Sequence, residues 1–495
     1  MSATENFSDG STQPNVAASY TSSNTTVATV SGSTVTSVNF SALSGPTTIS
    51  GSYTDPQTLG AVTGNTSLSV TTAVQINALS ANILSGDMSD FRTTVLGNSY
   101  VWGVNPTMNW NVVETSQGTY DFTAFDSTLV GSSGLFTTFP PNKKINIIVA
   151  PVTGGCAIGN GSGNPNCGNS STPSYVLTNL VNAGYPLLKC TSYPGNGTSG
   201  ATTNGGFPQV FQSQFYTPYE SFIAAVLKHY SNACDSTTGP CTGNNSANGP
   251  ALAPYIGYIR FGLSAGGEVF PFCASGNYTV DSGSDQWTTY INSMDQSIVS
   301  SEETYQSDQV ALGANIQMMT SINQSYGPVD FNVADIEADD AVSDSHTTSP
   351  VVTMGFGSQG LQKSDVANYA SAPSCTVTPI YCPCTSDWCT KFNQYTGDVP
   401  LELQTVLLSD PTGTNSNSQT GSLATLTING SQVTGLIPFA TSLHTNILEL
   451  YAYDMLYTFD SNYCSLSGEV PYLCPLDSTL VAGYVSTVEN AVSGN

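Results

Sequence analysis

The stretch that decides the fold reads Tyr255-Ile-Gly-Tyr-Ile-Arg-Phe-Gly-Leu-Ser-Ala-Gly-Gly-Glu268. Its first half is an apolar, β-branched and aromatic run, the mark of a strand buried on both faces. Ser264, Ala265, Gly266 and Gly267 then break the run, and the glycines let the backbone turn sharply and leave open space. Glu268 stands at that break, with Phe270 and Phe272 after it. A carboxylate just past the C-terminal end of a buried strand is where an eight-stranded α/β barrel collects its reactive acids. Glu268 is therefore a candidate catalytic residue, weighed against the plain alternative of a glutamate in an exposed loop.

Outward from that stretch, apolar strands alternate with amphipathic segments from about residue 73 onward, which argues for α/β architecture. Strands are expected at residues 100–104, 145–151, 258–263, 310–316, 351–356, 401–407 and 447–453, with an eighth somewhere in 74–96. Helices are expected at 122–129, 174–183, 219–230, 286–305, 333–342, 364–370 and 476–492. Eight parallel strands with helical crossovers make a (β/α)8 TIM barrel. Two long glycine-rich, cysteine-bearing loops, 153–172 and 190–207, come after the strand at 145–151. Loops of that length usually build a binding cleft or a lid. Residues 410–433 read as a hairpin insertion with Asn429-Gly430 as its turn.

Residues 1–72 differ from the rest, giving a division into 1–72 and 73–495. Short alternating strands separated by Ser, Gly and Asn turns predict a small all-β sandwich. The run from Ser22 to Thr36, followed by Gly45-Pro-Thr-Thr-Ile-Ser-Gly-Ser-Tyr53, resembles bacterial immunoglobulin-like domains of the second group. That resemblance implies a spacer or adhesive module, with self-association through it as a further partner; a Ser/Thr-rich linker is the alternative.

Composition narrows the partners. Of the 495 residues only 8% are charged, with 8 Lys+Arg against 34 Asp+Glu and a formal net charge of -26. Nothing in that balance neutralises a phosphate backbone, so nucleic acid is excluded as a partner, and anionic membranes are disfavoured. An acidic habitat would relieve the self-repulsion of so many carboxylates. Cys156 and Cys167, Cys234 and Cys241, and Cys464 and Cys474 each bracket a Gly/Asn/Pro/Ser-rich loop, as local disulfides would. Cys375, Cys382, Cys384 and Cys389 read as two more disulfides, with zinc as the rival; the Cys-Pro-Cys spacing and the lack of a nearby histidine speak against the metal. Cys190 and Cys273 remain for a long-range bridge or as free thiols. The expected location is extracellular, secreted or at the cell surface. No run is apolar enough to insert in a membrane, and the first residues carry no signal-peptide core, so an export signal would have been removed. Sequons at Asn24, Asn39, Asn196, Asn277 and Asn429, among others, leave glycosylation open.

A second strand also carries a carboxylate. Val399-Pro-Leu-Glu-Leu-Gln-Thr-Val puts Glu402 among apolar residues, where it needs a reason to be. Two carboxylates across a barrel mouth are the minimum equipment for glycosidic cleavage, one protonating the leaving oxygen and the other attacking the anomeric carbon or activating a water. Glu449, in Leu448-Glu-Leu-Tyr-Ala-Tyr-Asp454, is the rival to Glu402, and Asp454 on the same strand is a candidate sugar-binding residue.

Trp110-Asn-Val-Val-Glu-Thr-Ser-Gln-Gly-Thr-Tyr-Asp-Phe-Thr-Ala-Phe-Asp126 resembles the stretch that follows the second strand in clan A glycoside hydrolases such as the family 42 β-galactosidases. Lys144-Ile-Asn-Ile-Ile-Val-Ala-Pro151 with Thr172-Pro-Ser-Tyr-Val176 is similar to the third-strand region of that clan. Residues 219–230 with 255–268 resemble the fourth helix-to-strand unit, and Leu401-Glu402 the seventh strand, so the resemblance spans about residues 100–460. It implies that Glu268 is the acid/base and Glu402 the nucleophile of a retaining mechanism needing no cofactor and no metal. One departure matters: the clan places Asn before its acid/base, and here Gly267 precedes Glu268. Gly262-Leu-Ser-Ala-Gly-Gly-Glu268 is similar instead to the general-acid segment of β-amylases, which invert.

Trp102, Trp110, Tyr175, Phe270, Phe272 and Trp388 are the aromatics that could stack on a sugar ring, with core packing as the alternative for each. His229, His346 and His444 are scattered, which supports neither a metal site nor a nucleophile–His–Asp triad. Glu114 is expected to tie down a loop, and the acidic run 335–340 to be a solvated helix face. The expectation is an extracellular glycoside hydrolase acting on a carbohydrate. Its rival is a non-catalytic surface or filament-forming protein on the same scaffold.

Overall fold

The computed structural model of the chain describes residues 3–6, 12–16, 18–22, 28–31, 34–37, 45–54, 61–70, 74–80, 86–138, 143–152, 171–185, 208–231, 252–264, 285–312, 314, 316–323, 354–361, 391–392, 394–395, 399–405, 425–428, 431–443 and 445–459. All twelve cysteines lie outside these residues, as do Asn24, Asn39, Asn196, Asn277 and Asn429, loop residues 153–170 and 190–207, and the helices expected at 333–342, 364–370 and 476–492.

Eight strands succeed one another: β1 (Gln75–Leu79), β2 (Val101–Asn105), β3 (Lys144–Ala150), β4 (Ile256–Phe261), β5 (Gln317–Asn323), β6 (Met354–Leu361), β7 (Leu401–Thr405) and β8 (Ile447–Tyr451). Each pairs in parallel with the next. β8 then pairs in parallel with β1, which closes the sheet. A closed eight-stranded parallel sheet with helical crossovers is a (β/α)8 barrel. The described helices of seven residues or more are α1 (Thr123–Leu129), α2 (Ser174–Asn182), α3 (Ser213–Tyr230), α4 (Asp285–Ala311), α5 (Leu436–Ser442) and α6 (Ala452–Phe459).

The strands are read inside out relative to a surface sheet. On β7, Leu401 and Leu403 face the helices, and Glu402 and Gln404 take the alternate face, inside the barrel. On β8, Leu448 and Leu450 face outward and Ile447 and Glu449 inward. The outward side chains pack on the apolar stripes of the helices. On α3 that stripe is Phe215, Tyr219, Phe222, Ile223, Val226 and Tyr230, at the spacing of one helix face.

One expected strand is corrected. The apolar run at 310–316 begins inside α4, which continues to Ala311, and β5 starts at Gln317. Ile291, Met294, Ile298, Glu302 and Gln309 keep the buried face of α4 going to its end, and a short apolar run does not by itself distinguish helix from strand. Asp454 is corrected as well: it lies in the first turn of α6, not on the strand. The hairpin insertion forms from Thr425–Ile428 and Ser431–Thr434, paired antiparallel.

Two β-bulges set what the barrel contains. In β4, Ile256 pairs with Ile145 and Ile259 with Ile147, so Gly257 and Tyr258 together oppose Asn146. In β2, Val101 pairs with Ile76 and Gly103 with Asn77, which leaves Trp102 as the extra residue. Strict alternation from Ile256 would have aimed Arg260 at the helices. The extra residue shifts the parity, sending Ile259 and Phe261 outward and Tyr258 and Arg260 inward. Gly257 makes the bulge possible, because a Cβ there would meet Asn146 Oδ1 and would sit 2.6 Å from the Trp102 ring. Gly257→Ala is accordingly expected to destabilise the chain by about 1–3 kcal/mol, read as a lowered denaturant midpoint; an unchanged midpoint would contradict this role.

In residues 3–70 the described strands are antiparallel, and none joins the barrel sheet. Ala3–Asn6 pairs with Thr12–Val16 and Ala28–Ser31 with Thr34–Ser37. Gly45–Thr54 lies between Ser19–Ser22 and Ala61–Val70.

Candidate active site inside the barrel

The inward side chains of β1, β2, β3, β4, β7 and β8 form one polar cluster centred on Arg260. Its Nη1 donates to Glu402 from β7 and, at 2.9 Å, to Oε2 of Glu449 from β8. Nη2 reaches Gln404 Oε1 at 3.3 Å. Glu449 Oε1 accepts from the Tyr258 hydroxyl and from Asn105 Nδ2, which also donates to the Tyr258 oxygen. Asn77 Nδ2 donates to the same hydroxyl at 3.4 Å, and Asn146 Nδ2 donates to Asn77 Oδ1 at 3.1 Å. Glu402, Glu449, Asn77, Asn105, Asn146 and Tyr258 are all 0% exposed, and Arg260 is 1%.

Burial on this scale decides the electrostatics. It raises the Glu402 carboxyl well above the usual carboxylate range; Arg260 opposes that and the Glu449 charge adds to it. Burial also works against the Arg260 charge, but the two carboxylates more than offset it and hold the guanidinium charged. The Tyr258 phenol is pushed up by burial and by the charges of Glu402 and Glu449, so it stays a donor. Glu402 is seated against β6 by Gly357, where a Cβ would lie 3.1 Å from its Cβ, Cδ and Oε2.

Of the residues expected from the sequence, Glu402 and its rival Glu449 are brought together. Glu268, Phe270, Phe272 and Trp388 lie outside the described residues. The chain leading toward Glu268 is pinned as it leaves β4: the Tyr219 hydroxyl donates to Gly262 O at 2.7 Å and the Tyr290 hydroxyl to Leu263 O. Trp102 is half-buried and packs with Tyr258, Met319 and Ile447, at the level of the first residue of β8. Trp110 is fully buried against Phe215, Tyr219 and Phe222 of α3, with its Nε1 donating to Glu114 Oε2 at 2.6 Å. Tyr175 donates to Glu114 Oε1 at 2.8 Å, and the Gly118 N–H donates to the same oxygen at 2.7 Å. Glu114 thus ties together the segment after β2, as expected of it. Asp454 is fully buried in the first turn of α6.

Arg260, Tyr258, Asn105, Asn77 and Asn146 are the cluster residues that sequence reasoning passes over. The signal for Arg260 was present: one of two arginines in the chain, it stands in an apolar strand three residues after a glycine. Among the described residues, no group of three or more His, Cys, Asp or Glu is placed to hold a metal ion, and no helix is long and apolar enough to cross a membrane.

Comparison with known proteins finds no family model that matches the chain and no match among curated proteins. Among solved structures, the catalytic domain of β-amylase from Paenibacillus polymyxa is similar with a TM-score of 0.41 at 10% identity, over 78% of this chain and 94% of that one. A β-galactosidase from the Antarctic haloarchaeon Halorubrum lacusprofundi is similar with a TM-score of 0.34 at 10% identity, over 85% of this chain and 58% of that one. Likenesses of that size carry no functional weight, and the barrel stands on its own strand order.

Proposed function

We propose that the chain is a glycoside hydrolase that cleaves an O-glycosidic bond of an oligo- or polysaccharide with Glu402 and Glu449 as its carboxyl pair. The observation that carries the reading is that one guanidinium nitrogen, Arg260 Nη1, bonds a carboxyl oxygen from each glutamate. Oxygens bonded to one atom lie within about 6 Å of each other, short of the roughly 6.5–9.5 Å separation that leaves room for the water of an inverting pair. Retention is the outcome proposed, because an inverting pair needs that wider gap. Paired acids whose environments differ are also the usual mark of acid/base work. The order of the sequence motifs over residues 100–460 points the same way, although the resemblance itself gives the proton-donor role to Glu268, which lies outside the described residues. An extracellular location, a carbohydrate partner, an immunoglobulin-like N-terminal module and cysteines paired as disulfides belong to the same proposal.

Complete enclosure of the cluster favours a second reading, in which the ion group specifies the barrel core and the protein is a non-catalytic surface scaffold. Hydrolysis assayed across aryl glycosides and polysaccharides separates the two. The hydrolase reading expects turnover that falls by at least about 10²-fold in Glu402→Gln and in Glu449→Gln. Turnover that survives both substitutions, or none in the unaltered chain on any substrate, sinks it. Loss in Glu268→Gln alone would move the chemistry to the end of β4.

A further inference from the structure

We infer that Glu402 holds a proton in the folded protein and is the proton donor of the pair, with Glu449 as the carboxylate. The catalytic half of this inference rests on the hydrolase reading; the location of the proton does not.

Charge and geometry lead to it. The cluster contains one guanidinium and two carboxyl groups, all excluded from water, and such a group is neutral only when one carboxyl carries a proton. The titratable groups facing each other are Tyr258 and Arg260 from β4, Glu402 from β7 and Glu449 from β8, with neutral Asn105 from β2 and Gly357 from β6 beside them. Three donors converge on Glu449: the Asn105 amide, the Tyr258 hydroxyl and the Arg260 guanidinium. An acceptor-only carboxylate uses all three, and a protonated one would set its own hydrogen against them. Glu402 has one such donor, Arg260 on Oε1; no donor reaches its fully enclosed Oε2, and the Glu449 carboxyl is placed to accept a hydrogen that Glu402 carries. An oxygen without donors is the place for a proton, and burial raises the Glu402 carboxyl in the same sense.

This reverses the roles that the sequence resemblance implies, in which Glu402 is the nucleophile. In the first step a Glu449 oxygen bonds to the anomeric carbon as the glycosidic C–O bond breaks, and the leaving oxygen takes the proton of Glu402. In the second, Glu402, now a carboxylate, removes a proton from water. The water oxygen bonds to the anomeric carbon, the bond to Glu449 breaks, and both side chains return to their starting state.

The test reads the proton and the chemistry separately. Infrared difference spectra between the unaltered chain and Glu402→Gln, at neutral pH, should show the loss of a protonated-carboxyl band, and Glu449→Gln should keep that band. If Glu402→Gln does not fold, the Glu302→Gln chain, which removes the other buried glutamate raised by its surroundings, labelled with 13C at the glutamate carboxyls should still show one buried carboxyl carbon with a protonated shift through neutral pH. Absence of that signal overturns the inference, and so does a band that Glu449→Gln removes and Glu402→Gln keeps. In turnover, Glu402→Gln should lose about 10²–10⁴-fold on unactivated glycosides and far less on dinitrophenyl glycosides, whose leaving group needs no proton. Equal losses on both overturn the donor role. A Glu402-dependent band in a chain without any hydrolysis supports the proton assignment and sinks the hydrolase reading alone.

Discussion

Arg260→Met is expected to lower the stability of the folded chain by about 3–5 kcal/mol, because it strands two fully buried carboxyl groups that share its guanidinium. Methionine fills much of the same space, so the loss reports charge rather than a cavity. The sign of the pH dependence follows. Without the cation, Glu402 is raised further above its ordinary value, so the deficit is largest in mildly alkaline solution and shrinks in acid, where a neutral pair needs no counter-charge. Denaturant unfolding of the two chains across pH checks both parts. A deficit that stays constant, or that grows in acid, would contradict the arrangement.

Glu302→Gln acts in the opposite direction. Glu302 lies on the buried face of α4, 2% exposed, and its Oε2 accepts from Gln309 Nε2 at 2.8 Å. Gln309 Nε2 also reaches Ser231 Oγ at 2.8 Å, and Gln309 Oε1 accepts from the Ile316 N–H at 3.2 Å, so one side chain joins the ends of α3 and α4 to the start of β5. Burial raises the Glu302 carboxyl from 4.5 to about 8, with the Gln309 bond opposing it. A group raised in the folded state leaves stability intact below pH 4.5 and withdraws it as the pH climbs to about 8. At about 1.4 kcal/mol per pKa unit, the glutamine variant should exceed the unaltered chain by up to about 5 kcal/mol above pH 8 and match it below pH 4.5. Stability curves that run parallel at all pH values would show that Glu302 titrates normally. The same titration gives the chain an acid-favoured fold, in keeping with its net charge of -26.

Much of the barrel was legible because its outward residues obey simple rules. The strands around Ile145, Ile259, Leu401 and Leu448 are apolar runs, and the stripe on α3 repeats at helical spacing. Where the reading slipped, at 310–316, two structures share one pattern: the buried end of α4 runs directly into an apolar turn before β5. The carboxylates of the candidate site were legible too, because Glu402 and Glu449 interrupt apolar strands. Their partners were not. Whether Tyr258 and Arg260 face the helices or the interior depends on parity, and one extra residue at Gly257–Tyr258 reverses it. A glycine inside a strand is the only trace of such a bulge in the sequence. Trp110 shows the reverse: an aromatic in a family-like motif is a candidate for sugar stacking in the sequence, but it is fully buried among the rings of Phe215, Tyr219 and Phe222 on α3.

Everything proposed for the site depends on Arg260 facing inward and joining Glu402 to Glu449. A double-mutant cycle of Arg260→Met and Glu449→Gln, read by equilibrium unfolding, tests that contact most directly. A coupling of about 2–3 kcal/mol is expected, because either substitution alone leaves a buried charged partner stranded and the second relieves it. Additivity within about 0.5 kcal/mol would mean that the two side chains do not meet inside the barrel.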